Sequence, residues 1–174
     1  MGGVSYRLGQ FWRILTARPL PTAARMEIAA ALTPPEVALF ERLAASDQWH
    51  SWRVMQTLQA AGHDQPDLLA AALLHDVGKT RWPLTLWDRT LIVLAQAIWP
   101  KWVAVWGEPG GRGWRRPFVV KAQHPIWGAE MAAAAGSRPL TIALIRRHQD
   151  LRPAEPRSEA DRLLGYLQWA DDQN

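Results

Sequence analysis

Apolar residues along this chain recur at spacings of three and four, and alternation of period two is nowhere sustained. The pattern therefore predicts helices rather than strands. Ala, Leu, Arg and Glu fill segments of helical length bounded by Pro, Gly and Asp, residues that start and stop helices. Thr33-Pro34-Pro35-Glu36 reads as a capping box with proline at the first helical position, opening a helix through about Leu43. Ser46 or Asp47 caps the next, which carries His50, Val54 and Leu58 on one stripe and stops at Gly62. Pro66-Asp67 begins a third segment, Leu68 to Val77, apolar nearly all round and hence central, ended by Gly78.

Farther along, Pro125 stands where a first helical residue is expected, with His124 as the cap and a helix through about Ala135. Pro139 opens another, on which Ile142, Ile145 and His148 share a face. Ser158 caps the last, with Glu159 and Asp161 in its first turn and Leu163, Leu164, Leu167 and Ala170 leading to Asp171. The whole reads as an all-α, single-domain helical bundle, because 174 residues suffice for one domain and are too few for two ordinary ones. Residues 1–45 read as an N-terminal helical extension packed on the core, and 46–174 as the main domain.

Residues 81–117 depart from this pattern. They hold six of the eleven tryptophans (Trp82, Trp87, Trp99, Trp102, Trp106, Trp114) and a glycine-rich loop from Gly107 to Gly113. The segment reads as an insertion whose indoles serve as core or lid, with peripheral membrane contact beside Arg112, Arg115 and Arg116 as the competing role. Its apolar run, Leu91 to Trp106, is interrupted by Gln96, Pro100 and Lys101 and falls short of the roughly 20 residues of a membrane span.

Composition narrows the chemistry. The absence of cysteine excludes disulfides, thiolate nucleophiles and zinc–thiolate sites, leaving nitrogen and oxygen as metal donors. A net charge of +4 from scattered basic residues suits a phosphorylated small molecule and gives no ground for a stable nucleic-acid partner. Met1 to Arg7 lacks an apolar signal core, so a cytoplasmic protein is expected, with membrane-peripheral contact as the variant.

Against that background, four of the five histidines fall in order with two aspartates: His50, His75-Asp76, His124, His148 and Asp171. His75 and Asp76 end the most apolar helix, where an unpaired charge costs several kcal/mol. Divalent metal ions are one kind of partner, and a mixed N/O set suits first-row ions while leaving room for water and substrate. Intervals of 25, 24 and 23 residues separate His50 from His75, His124 from His148, and His148 from Asp171, each about one helix and a return. The interval of 48 between Asp76 and His124 contains the Trp-rich segment. Asp172 points about 100° away from Asp171 on a helix and reads as surface charge; His63, after Gly62, reads as a surface turn residue.

The stretch Leu73-Leu74-His75-Asp76-Val77-Gly78-Lys79, with His50-Ser51-Trp52-Arg53-Val54 before it and His124-Pro125-Ile126-Trp127-Gly128-Ala129, Ile145-Arg146-Arg147-His148 and Ala170-Asp171 after it, resembles the HD-domain superfamily of metal-dependent phosphohydrolases. The resemblance covers about residues 46–172. It implies a metal core of His50, His75, Asp76 and Asp171, with His124 and His148 completing a second position and Asp76 bridging two ions. Fe, Mn, Co or Ni are the implied metals, with Mg as a further candidate. It also implies cleavage of a phosphomonoester or nucleotide phosphate bond by a metal-bound hydroxide, with Asp76 and Lys79 as catalytic residues. Lys79, Arg53, Arg146 and Arg147 are the candidates for binding substrate phosphate.

The Gly-Tyr-Pro motif of the cyclic-dinucleotide-cleaving branch is missing between His124 and His148, and Gln149 stands where that branch pairs histidines. Gly165-Tyr166-Leu167 reads as core helix instead. Two other readings share the ligand set or the fold: an HD-fold di-iron oxygenase, and a non-catalytic metal-binding or membrane-peripheral module.

Overall fold

The computed structural model describes residues 19–152 and 155–174; residues 1–18 of the expected N-terminal extension lie outside the described residues. Among those described, the regular structure is helical: α1 (Thr22–Ala31), α2 (Pro34–Phe40), α3 (Ala45–Ala60), α4 (Pro66–Leu74), α5 (Leu86–Ile98), α6 (Pro100–Trp106), α7 (Arg116–Ala134), α8 (Pro139–Arg147) and α9 (Glu159–Asp172). Short 3-10 turns at Val77–Arg81 and Gly113–Arg115 complete the order.

Helix α4 occupies the centre because its sequence leaves it no polar face. Leu68 through Leu74 are all buried, and α1, α2, α3, α8 and α9 each pack against it. Removal of Leu68, Leu73 and Leu74 from water contributes roughly 1.5–3 kcal/mol apiece. Leu20, Ala24 and Ile28 at the N-terminal end join the same core as Val54, Leu144 and Leu164. Glu36 clamps this layer: its carboxylate accepts from the Thr33 N–H at 2.9 Å and from Ser137 Oγ, 101 positions away, at 2.6 Å. Asp67, in the first turn of α4, accepts from Thr141 Oγ1 of α8 at 2.8 Å.

Several sequence expectations hold in detail. Gly62 takes φ +79° after α3, and the His63 N–H returns to the Leu58 carbonyl, as in a glycine-terminated helix. Ser158 Oγ accepts from the Asp161 N–H at 3.1 Å. Others need correction. α3 begins at Ala45 with Ala44 before it, so neither Ser46 nor Asp47 is its cap; Asp47 is instead bound by Arg89. α2 ends at Phe40 rather than Leu43, since the Arg42 and Leu43 N–H groups turn back to Leu39 and Phe40. His63 is half-buried, stacked on Tyr166 with ring centroids 3.8 Å apart.

Two corrections shape the site. α4 stops at Leu74, and Gly78 does not end it by a left-handed turn, being absent from the positive-φ glycines. Gly78 allows close approach: a Cβ there would lie 2.0 Å from the His124 carbonyl oxygen and 2.7 Å from Gly128 N. The turn bearing Asp76 and Lys79 thus lies directly on α7. Nor does Pro125 start a helix: α7 runs unbroken from Arg116 to Ala134 with Pro125 inside. Proline lacks the N–H that would bond to the Lys121 carbonyl four residues back. The His124 ring replaces it, Nδ1 lying 2.9 Å from Lys121 O and 3.1 Å from Val120 O.

The Trp-rich segment builds α5 and α6 over a small second core of Ile92, Ala95, Val103 and Phe118. The expectation that its indoles serve as core fails for five of the six: Trp82, Trp87, Trp99, Trp102 and Trp114 are exposed, and Trp106 alone is half-buried against Phe118. Among the described residues the second core is too small to cover them. Among the described residues no helix is long and apolar enough to cross a membrane.

Candidate metal centre

Six side chains from five places in the bundle converge: His50 from α3, His75 and Asp76 from the end of α4, His124 from α7, His148 from the end of α8, and Asp171 from α9. They form two triads, His50–His75–Asp171 and Asp76–His124–His148, within each of which the donor atoms lie within 4.8 Å of one another. Asp76 joins them. Its Oδ2 lies 3.6 Å from His75 Nε2, and its Oδ1 lies 3.3 Å from His124 Nε2. On the far side Asp171 Oδ1 stands 2.8 Å from His50 Nε2 and 3.6 Å from His75 Nε2.

Three of the imidazoles are oriented by their own helices. His75 Nδ1 lies 2.9 Å from the Ala72 carbonyl, His148 Nδ1 lies 2.8 Å from the Ile145 carbonyl, and His124 Nδ1 is held as described above. A carbonyl only accepts, so each Nδ1 carries a hydrogen, and Nε2 is the ring atom left facing the site. Buried Gln168 of α9 fixes the end of α8, donating to the carbonyls of His148 at 3.1 Å and Asp150 at 2.8 Å, groups a helix terminus leaves without partners.

The arrangement fits cations. His75 Nε2 is buried with no hydrogen-bond partner among the described residues, a costly state for a polar nitrogen unless a ligand meets it. His124 and His148 face each other Nε2 to Nε2 at 3.2 Å. With both Nδ1 hydrogens committed to carbonyls, these two Nε2 atoms and Asp76 converge on one point that a cation would satisfy. Burial, reinforced by neighbouring His75 and His124, pushes His148 down to about 3, so it is neutral and able to ligate at neutral pH.

The carboxylates complement it. Burial pushes Asp76 upward, but Lys79, His75 and His124 outweigh burial and hold it well below the usual carboxylate range. Burial likewise opposes ionisation of Asp171, yet His75 and His50 hold it down at about 2. Both are anionic donors at neutral pH.

Of the proposed phosphate ligands, Lys79 contacts the centre, its ammonium paired with Asp76 Oδ2. Burial lowers the Lys79 pKa, but Asp76 and Asp47 more than offset this and keep it above its ordinary value. Arg53 lies half-buried on the His50 helix, and Arg146 is exposed. Arg147 is engaged elsewhere, with Asp161 at 2.9 Å and Asp150 at 3.5 Å. Asp172 faces outward and pairs with Arg152 at 3.2 Å.

Three neighbours escaped the sequence reading. Arg89 of α5 grips both Asp47 oxygens, at 3.1 and 2.8 Å, tying the Trp-rich segment to the His50 helix one turn before the ligand. Lys121 lies one turn before His124 on α7, half-buried and without an ion pair among the described residues. Burial first, and then the charge of Lys79, depress its pKa. Gln168 is the third. Only the i, i+3 spacing of Lys121 and His124 offered any signal in the sequence.

Comparison with curated proteins and with solved structures returns no match. A family model, described as the HD domain, matches residues 49–172. HD domains are all-α and mostly metal-dependent phosphohydrolases. The match spans most of the chain and contains all six converging residues, and the chain therefore belongs to the HD-domain family.

Proposed function

We propose that this protein is a phosphohydrolase that cleaves a phosphomonoester or nucleotide phosphate bond at a site holding two divalent ions. The observation that carries the proposal is the Asp76 carboxylate, which belongs to the triad of His124 and His148 through one oxygen and turns the other toward His75 of the second triad. His50, His75 and Asp171 would hold one ion, His124 and His148 the other, with Asp76 shared. Imidazole-rich N/O ligation favours Fe, Mn, Co or Ni, whereas Mg prefers oxygen and water. Such ions supply Lewis acidity toward a phosphoryl oxygen and activate water at neutral pH.

The protein's own cations do the rest. Lys79 holds its charge against burial beside Asp76, and once Asp76 is committed to ligation this ammonium turns to substrate phosphate. Lys121, within the field of Lys79 and with no carboxylate of its own, is a second donor for the same group. A phosphate dianion between two lysines relieves their mutual repulsion and orients the scissile bond.

The test is phosphate release from a panel of nucleotides and simple phosphoesters by protein loaded in turn with Mn, Fe, Co, Ni or Mg, with metal stoichiometry measured alongside. Turnover with about two ions per chain, and a KM raised roughly tenfold in Lys121→Ala, is the expected result. No release by any metal form, or turnover that consumes oxygen, would overturn the proposal, the latter in favour of a di-iron oxygenase.

A further inference from the structure

The α5 helix carries apolar residues on a side where none of the described residues buries them. Ile92 and Ala95 seat the helix on the protein, while Trp87, Leu91, Leu94 and Ile98, at i, i+4, i+7 and i+11, form one outward stripe. Trp87 is 83% exposed, Leu94 54% and Ile98 58%. The stripe continues into an aromatic group around half-buried Trp106. Trp99 and Trp102 each lie 6.4 Å from it, and Trp114 lies 5.2 Å away, ring centre to ring centre. All three are more than half exposed.

Charge gathers in the same segment. Residues 81–117 contain six basic and two acidic side chains; Arg81 and Arg89 pair with Glu130 and Asp47 outside the segment, which leaves Lys101, Arg112, Arg115 and Arg116 as the cations of this surface. Lys101 and Arg112 are exposed among the tryptophans, as is Arg116. Aliphatic side chains, indoles and cations on one surface meet the needs of the headgroup region of a bilayer, where indole rings settle at the polar boundary and basic residues face lipid phosphates.

We infer that the Trp-rich segment is a docking surface for an anionic lipid membrane. A second copy of the chain would set like charges against each other at the same face. A nucleic acid would engage the cations and leave Leu91, Leu94 and Ile98 in water. An anionic bilayer satisfies both components, each Lys or Arg near it strengthening binding roughly fivefold. The inference is independent of the reaction, since none of these exposed residues is among the six that converge at the metal centre.

Co-sedimentation of the full chain with phosphatidylcholine vesicles, and with mixed phosphatidylcholine–phosphatidylglycerol vesicles, tests it. Binding to the mixed vesicles, weakened by salt, with indole fluorescence quenched by brominated acyl chains, is expected. Leu94→Ser/Ile98→Ser/Trp99→Ser, and separately Lys101→Glu/Arg112→Glu, should each reduce vesicle binding at least about tenfold, with unchanged circular dichroism and metal content. Failure to bind anionic vesicles, binding undiminished in both variants, or a dimer abolished by the apolar variant in place of vesicle binding would each overturn the proposal.

Discussion

Around Asp76 the bundle gathers six polar side chains, four of them buried (His75, Asp76, His124, His148), among leucines and alanines; between Arg81 and Pro117 it leaves tryptophan, leucine and isoleucine in solvent. The two regions invert the usual burial preference in opposite senses, and each inversion is a deficit. Buried Nε2 atoms want cations, and exposed indoles and alkyl groups want a less aqueous surface. They also differ in construction. The metal centre is over-determined, its rings anchored by backbone carbonyls, Gln168 and the close approach at Gly78. The Trp-rich segment rests on a small second core and on the Arg89–Asp47 pair.

The comparison can be broken most forcefully at Asp76. In Asp76→Asn the shared anionic ligand is lost, and we expect the metal content to fall. Turnover should drop by more than the roughly hundredfold that loss of a supporting residue costs. Metal analysis and steady-state kinetics check this, and full occupancy with full turnover would remove the bridging role. Next, the two faces of the Trp-rich segment should differ sharply in stability. Phe118→Ala, in its buried core, should cost about 3–5 kcal/mol, whereas Leu94→Ser on the outer stripe should change stability by less than about 0.5 kcal/mol. Urea denaturation of both variants compares them directly, and equal losses would mean that the stripe is covered within the monomer.

A finer probe is Pro125→Ala. The restored N–H would compete with His124 Nδ1 for the Lys121 carbonyl, loosening the ring while leaving helix content intact. Affinity at the Asp76–His124–His148 triad should fall roughly tenfold, read by metal titration beside circular dichroism. Unchanged affinity would show that the Val120 carbonyl alone suffices.

The smallest effect is a control remote from both regions. Burial pushes the Glu36 carboxyl up, but hydrogen bonds from Ser137 and Thr33, with Arg138, hold it below 4.5. Its stabilising contribution is therefore present above the unfolded-state value and lost as pH falls through the lower folded one. Glu36→Gln should cost about 1 kcal/mol at neutral pH. The gap should shrink as pH drops below 4.5, and urea denaturation at two pH values would reveal a gap that fails to narrow.

Much of this protein is legible in its sequence. The all-α class followed from spacing, the centrality of α4 from its lack of a polar face, and the six converging residues from their order and intervals. Some boundaries differ from the sequence expectation because local signals have two meanings. Pro125 resembles a helix start, yet a long helix tolerates it when a histidine ring takes over the freed carbonyl. Gly78 resembles a helix stop, yet here it permits two backbones to touch. The tryptophans suggested core or lid; the core half fails because composition alone does not show how little apolar surface lies opposite them.

By itself the sequence determined which residue types meet the chemistry and which helices carry them, because periodicity, capping and ligand order are local properties. Only the tertiary structure decided that Asp76 turns one oxygen to His124 and the other to His75, that Lys121 joins Lys79 while Arg147 is spent on Asp161, and that the α5 stripe faces water. Those outcomes depend on distances between segments far apart in the chain, which are set by how helices pack around α4 and not by any residue's own neighbours.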